Sequence, residues 1–297
     1  MIKTLCLSGG GLKGICILGC LNALEKYNFI HHKKINTFYA TSVGSIISIL
    51  LICNYSIQEL SKFILQFDLY KLEPKIDCNT LFTQYGITEG HKLITAIQTM
   101  IYNKMQKYDF TFKEFYEVTK KKLYIFTTNF STGYEEVFSY SNKPDVSVLL
   151  ALRMSISIPF LFTPVKYNNN LYVDGGITNN FPINYIKDPN FFGICLHFSC
   201  YKYDTLYNYL MGCFNIVMQT INFKNINLQN KENIIIINNL KKENISESLF
   251  DFENKQKLYN LGENIAIKYI EKNNSFVKKV LLNNIIKNVI DDIISNL

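Results

Sequence analysis

Three consecutive glycines between a short apolar stretch and a helix-patterned one leave a chain few ways to fold. Ile2 to Leu7 reads as a short buried strand, Ser8-Gly9-Gly10-Gly11-Leu12-Lys13-Gly14 as a turn, and Ile15 to Tyr27 as a helix whose Ala, Leu and Ile suit close packing on a sheet. The arrangement repeats at once. Asn36 to Ala40 is a second strand, Ala40-Thr41-Ser42-Val43-Gly44 a tight turn, and Gly44 to Cys53 a helix apolar nearly all round, as a helix buried under a sheet should be. Two strand–turn–helix units in succession predict a three-layer α/β/α sandwich with a mostly parallel central sheet.

Further along, Ile57 to Phe67 and Glu89 to Lys107 read as more exposed helices. Lys122 to Thr128 is a core strand leading into the turn Ser131-Thr132-Gly133-Tyr134, and Val137 to Tyr140 is a strand pairing back. Asp145 to Met154 is a helix, which the segment Ser155 to Pro164 must break because neither Pro159 nor Pro164 can sit in a helix interior. Tyr172 to Asp174 ends a strand at Gly175-Gly176, Gly193 to Phe198 is the next strand, and the isoleucine-rich Asn233 to Asn238 another. Leu282, Ile285, Ile286, Val289, Ile290, Ile293 and Leu297 fall on one face of a terminal amphipathic helix. With no internal repeat or long linker, the expected division is a core over residues 1–200 and a C-terminal completion of the same domain over residues 201–297, built from strand 233–238 and amphipathic helices.

Composition removes several function classes. The formal charge of +7 is spread along the chain rather than gathered in a basic arm, so no nucleic-acid binding is expected, while a mildly basic surface suits anionic lipid headgroups. None of the eight cysteines forms a CxxC pair, and the nearest histidines give Cys16 and Cys20 no metal-site spacing. Buried free thiols of a reducing compartment account for them. No run reaches the roughly 18 apolar residues a membrane span needs, and the glycines interrupt the apolar core of any signal peptide. The chain is therefore expected to be cytoplasmic, without signal peptide or transmembrane span, and to meet membranes transiently.

Ser42, held out on a strand-to-helix turn, is a candidate nucleophile, and a serine hydroxyl is a poor one until a base takes its proton. Two groups downstream could serve. Asp174 stands at a strand end where Gly175 and Gly176 let backbone crowd a carboxylate, and His197 lies in the next strand. The order Ser42, Asp174, His197 is that of an ordinary α/β-hydrolase triad, but a triad histidine belongs beyond a strand's end and His197 reads as lying within an apolar strand. In the alternative, Asp174 deprotonates Ser42 directly, which works best if burial raises its basicity. The N–H groups of Gly9, Gly10 and Gly11, backed by the helix N-terminus that follows, would then meet the negative oxygen of a tetrahedral intermediate. Lys13 either adds charge nearby or points into solvent. A glycine loop before a helix can instead hold a nucleotide phosphate; a dinucleotide site, however, wants an acidic residue at the end of the second strand, where this chain has Ala40-Thr41-Ser42. The combination sketches an acyl-ester hydrolase.

With these motifs in order, the chain resembles the patatin-like phospholipases. Gly9 to Gly14, including Lys13, matches the family's G-G-G-x-K/R-G loop at every fixed position; Ser42 and Gly44 match its G-x-S-x-G elbow, and Asp174-Gly175-Gly176 its Asp-Gly-Gly/Ala motif. Arg153, Ser155, Pro159 and Phe162 resemble its R-x-S-x-x-x-P-x-x-F block, and Asn180 and Pro182 fit the segment beyond the aspartate, so the match spans Ile2 to Pro182. The resemblance implies a Ser42–Asp174 dyad, an oxyanion loop of Gly9 to Gly11, no catalytic histidine and no metal or other cofactor. It also implies a phospholipid or other acyl-lipid substrate, met at a membrane surface that is contacted and not spanned; the oligomeric state stays open. Ala40 departs from the family's glycine, so a methyl has to fit beside the elbow. A lipid-binding or regulatory protein that keeps the fold without the activity is the other class the sequence allows, with Ala40 its only hint. Leu161, Phe162 and Phe181 could line an acyl-chain groove or belong to the core.

Overall fold

The computed structural model of the protein describes residues 2–68, 71, 78–197, 204–227, 231–238 and 252–273. In chain order its strands are β1 (Thr4–Leu7), β2 (Thr37–Thr41), β3 (Gly86–Thr88), β4 (Lys122–Asn129), β5 (Tyr134–Ser139), β6 (Phe160–Phe162), β7 (Val165–Tyr167), β8 (Asn170–Asp174), β9 (Phe191–Leu196) and β10 (Ile234–Ile237). The helices are α1 (Ile15–Lys26), α2 (Val43–Ile52), α3 (Ile57–Gln66), α4 (Cys78–Gln84), α5 (His91–Met105), α6 (Phe112–Thr119), α7 (Val148–Ser155), α8 (Gly176–Asn179), α9 (Leu206–Asn227) and α10 (Phe252–Asn273).

Eight strands make a mostly parallel central sheet flanked by helices, as the sequence predicts. β10, β9, β1, β2 and β4 lie side by side and parallel, while β5, β8 and β7 are antiparallel additions. Alternation along the inner strands feeds two separate apolar clusters. Leu5, Leu7, Ile194, Leu196, Ile235 and Ile237 enter one, and Cys6, Cys195 and Ile234 enter the other. Burial on both faces is why these strands read as continuous apolar runs rather than as an alternation with polar residues.

β5 occupies one edge of β4 over Tyr124 to Asn129. The other edge is shared end to end by two strands arriving from opposite directions. Parallel β2 ends with Thr41 opposite Phe126, and antiparallel β8 ends with Asp174 opposite Thr127. Adjacent residues of one strand therefore bring Ser42, the residue after Thr41, to Asp174.

Local sequence explains several helix starts. α3 and α6 open with reciprocal capping boxes, Ser56 with Glu59 and Thr111 with Glu114, and the Ser147 hydroxyl accepts the Leu150 N–H at the start of α7. α5 begins at His91 rather than Glu89, because Gly90 in front of it has a left-handed φ of 71°. Elements the sequence reading does not predict are α4, α6, α8 and the short β3, β6 and β7, while α9 and α10 lie in the C-terminal part, where amphipathic helices are expected without stated spans. α10 packs against α1 through two glycines: a Cβ built on Gly19 would lie 2.0 Å from the Tyr259 carbonyl oxygen, and one on Gly262 would lie 1.9 Å from that of Cys16. The predicted terminal helix carrying Leu282 to Leu297 lies outside the described residues. Among the described residues, no helix is long and apolar enough to cross a membrane.

Candidate active site

Ser42 sits between β2 and α2 with φ 52° and ψ −124°, a left-handed backbone that costs a non-glycine residue on the order of 1–3 kcal/mol. Nearly buried, its hydroxyl donates to Asp174 Oδ2 at 2.8 Å. The other carboxylate oxygen of Asp174 accepts the Gly176 N–H at 2.7 Å, and the Asp174 N–H donates to the Ser157 carbonyl at 2.8 Å. Burial pushes the Asp174 carboxyl up to about 7, against the opposing pull of the Gly176 N–H and the Ser42 hydroxyl. An alcohol held against a carboxylate of near-neutral pKa can hand over its proton at neutral pH.

The elbow works because backbone comes close where side chains are missing. A Cβ on Gly44 would lie 2.5 Å from the Leu7 carbonyl oxygen, and one on Gly175 would lie 2.1 Å from that of Phe126. Ala40, the departure from the family pattern, is fully buried in β2 opposite Leu7 and Ile125, so its methyl has a place in the core. Gly14 faces the Val43 side chain and Gly176 the Met218 thioether.

The glycine loop divides its donors. The Gly9 N–H donates to the Asn180 carbonyl at 3.1 Å. Gly10 and Gly11 stand at the start of the 3₁₀ turn Gly11–Gly14 that leads into α1, where N–H groups have no acceptor within the helix. Gly11 has φ +56°, and no atom of the described residues lies within 4 Å of where its Cβ would stand. Lys13 lies half-buried within that turn, its N–H bonded to the Gly10 carbonyl.

His197 is not brought to Ser42. It stands one residue past β9 rather than inside the strand as expected, and its N–H donates to the Ile237 carbonyl on the side of β10. β1 lies between β9 and β2, which sets the His197 backbone about 10 Å, two strand spacings, from the column that ends in Ser42. Among the described residues no cluster of three or more His, Cys, Asp or Glu side chains could hold a metal ion.

Ser42 also borders a cavity of about 570 Å³. Its walls are nearly all apolar: Val43, Ile46, Ile47 and Leu50 of α2, Leu60 and Phe63 of α3, Leu93, Ile97 and Met100 of α5, and Leu161 and Phe162 of β6. Phe181, the third residue considered for a groove, is fully buried in the apolar cluster on the other face of the sheet and takes no part. The walls from α2, α3 and α5 escape sequence reasoning because an inward apolar helix face looks the same whether it meets a core or a void. A heptad-like run such as Leu93, Ile97, Met100 carries no mark of the difference.

Comparison with known proteins points the same way as the site. The family model described as patatin-like phospholipase matches residues 5–186. A protein of Invertebrate iridescent virus 6 named "Probable lipid hydrolase 463L" is 35% identical over 228 residues, which is 73% of this chain and 77% of that one. An uncharacterized protein of Acanthamoeba polyphaga mimivirus is 36% identical over 189 residues, 63% of this chain and 62% of its own length. Among solved structures, VipD from Legionella pneumophila superposes with a TM-score of 0.64 over 91% of this chain and 67% of that one, at 16% identity, a likeness of fold. With the family model covering more than half of the sequence and the iridescent-virus relative matched over most of its length, this chain belongs to the patatin-like phospholipase family.

Proposed function

We propose that the protein hydrolyses fatty-acyl esters of membrane lipids, as a phospholipase of the A type, with Ser42 as nucleophile and Asp174 as its base. The observation that carries this reading is the buried 2.8 Å hydrogen bond from the Ser42 hydroxyl to Asp174, at the wall of an apolar cavity. Family membership and a relative named as a lipid hydrolase support the substrate class.

The acyl chain lies in the cavity with its ester carbonyl at Ser42. Asp174 takes the hydroxyl proton as Oγ attacks the carbonyl carbon, and the Gly10 and Gly11 N–H groups, with the helix start behind them, receive the oxyanion. Collapse expels the lyso-lipid alcohol, which leaves with the proton from Asp174. Water, deprotonated by Asp174, then attacks the acyl-serine, frees the fatty acid and restores Ser42. A substrate of this kind resides in a bilayer, so the protein works at a membrane surface.

The test is fatty-acid release from mixed phospholipid vesicles. Ser42→Ala and Asp174→Asn each abolish release, whereas His197→Ala keeps most of it. Full activity in Asp174→Asn, or loss of activity in a folded His197→Ala, overturns the dyad.

A further inference from the structure

The end-to-end meeting of β2 and β8 leaves a break in the ladder beside β4, and one side chain fills it. Ser155, the last residue of α7, is fully buried. Its hydroxyl donates to the Phe126 carbonyl at 2.6 Å and accepts the Ser42 N–H at 2.9 Å. Phe126 is the β4 residue opposite the end of β2, so the hydroxyl stands where a continuing strand would have supplied the hydrogen bonds. The same short segment also holds the acid. The Ser155 carbonyl accepts the Gly175 N–H at 3.4 Å, and the Ser157 carbonyl accepts the Asp174 N–H at 2.8 Å. Arg153 in turn fixes Ser157, donating to its hydroxyl at 2.5 Å, and reaches across to the carbonyls of Glu89 and Thr163.

We propose that Ser155 is a positioning residue: its hydroxyl holds the strained backbone of Ser42 in the orientation that aims Oγ at Asp174, and its main chain sets the other side of the same contact. This rests on the Ser42–Asp174 reading. The physical requirement is plain. A left-handed Ser42 stores strain that the backbone sheds by rotating unless its buried N–H has an acceptor, and turning to any other direction leaves that N–H unpaired. α2 contrasts with this. Among the described residues the buried hydroxyls of Ser45 and Ser48 have no hydrogen-bond partner, so a buried serine in this region does not by itself mark a working contact.

The experiment compares Ser155→Ala with Ser48→Ala, Ser42→Ala and Asp174→Asn in the full chain, reading kcat and KM on phospholipid vesicles, the rate of fluorophosphonate labelling, and the pH midpoint of kcat. In Ser155→Ala, kcat and the labelling rate fall by about 100-fold. KM and the pH midpoint stay in place, since neither the cavity nor the burial of Asp174 changes. Ser48→Ala keeps wild-type values. Ser155→Cys, close in size with a weaker hydrogen-bonding group, serves if Ser155→Ala does not fold, and its kcat also falls. A folded Ser155 variant with wild-type kcat and labelling, or one that loses only KM, overturns the proposal. That failure is separable from failure of the dyad, which shows as activity surviving in Ser42→Ala or Asp174→Asn.

Discussion

The elbow around Ser42 and the crossing of α1 with α10 are built with the same device and put it to different uses. In both, glycine lets main chain touch main chain: Gly44 against the Leu7 carbonyl in the first, Gly262 against that of Cys16 in the second. At the elbow the close approach is coupled to a strained residue, Ser42 at φ 52°, and to a carboxylate held near neutrality by burial. At the crossing two helices with ordinary backbone simply pack. Close packing is general, then, and chemistry enters only where it is combined with strain and an expensive buried charge.

That distinction can be broken in several ways. The largest effect expected is from Ser42→Ala, which lowers kcat by about 10⁴-fold or more in the vesicle assay; anything milder means that the elbow is not the centre of the chemistry. Asp174→Asn is equally silent in activity yet more stable than the parent at alkaline pH. Folded Asp174 keeps its proton up to about 7 where an unfolded aspartate releases it near 3.8, so the folded state binds more protons in between and loses stability as pH rises through that window. Thermal melts at pH 8 should favour the variant, with the gap closing toward pH 4, and an equal gap at both would contradict the burial argument. For the parent, kcat/KM should rise about tenfold per pH unit below about 7 and level off above it, because the base must be ionised. Gly44→Ala and Gly262→Ala should each cost about 1–3 kcal/mol by overpacking. Only the first should also lower kcat per folded molecule, and a matching loss in the second would erase the contrast between elbow and helix crossing. The smallest effect is that of His197→Ala, which should stay within about threefold of the parent, the scale of a change far from the reacting groups.

Much of this was legible residue by residue. β1, β2, α1 and α2 fall within a residue or two of the spans read from apolar patterning, since those segments are long enough and apolar enough to declare their period. The amphipathic helices expected in the C-terminal part have no legible bounds at α10, although Leu258, Leu261, Ile265, Tyr269 and Ile270 repeat at helical spacing, because the charged and asparagine-rich residues between them dilute the signal. β6 and β7, three residues each, are too short to carry any period. Apolar patterning puts His197 inside a strand because apolar residues continue on either side of it, and hydrogen bonding alone marks where β9 stops.

What the amino-acid order determined by itself is local: two strand–turn–helix units, glycines where main chain has to pass main chain, and a serine and an aspartate each at the end of a strand. These depend on sterics and on periodicity over a few residues, which adjacent positions settle among themselves. Only the tertiary structure decided that β2 and β8 abut on one edge of β4, so that residues 132 apart share a hydrogen bond and Ser155, 113 residues from Ser42, closes the gap between them. The hydrogen bond from the Gly9 N–H to Asn180 and the hollow beside α2 belong to the same class. Contacts of that range exist only once the whole sheet has closed, and no short stretch of chain holds the information for them.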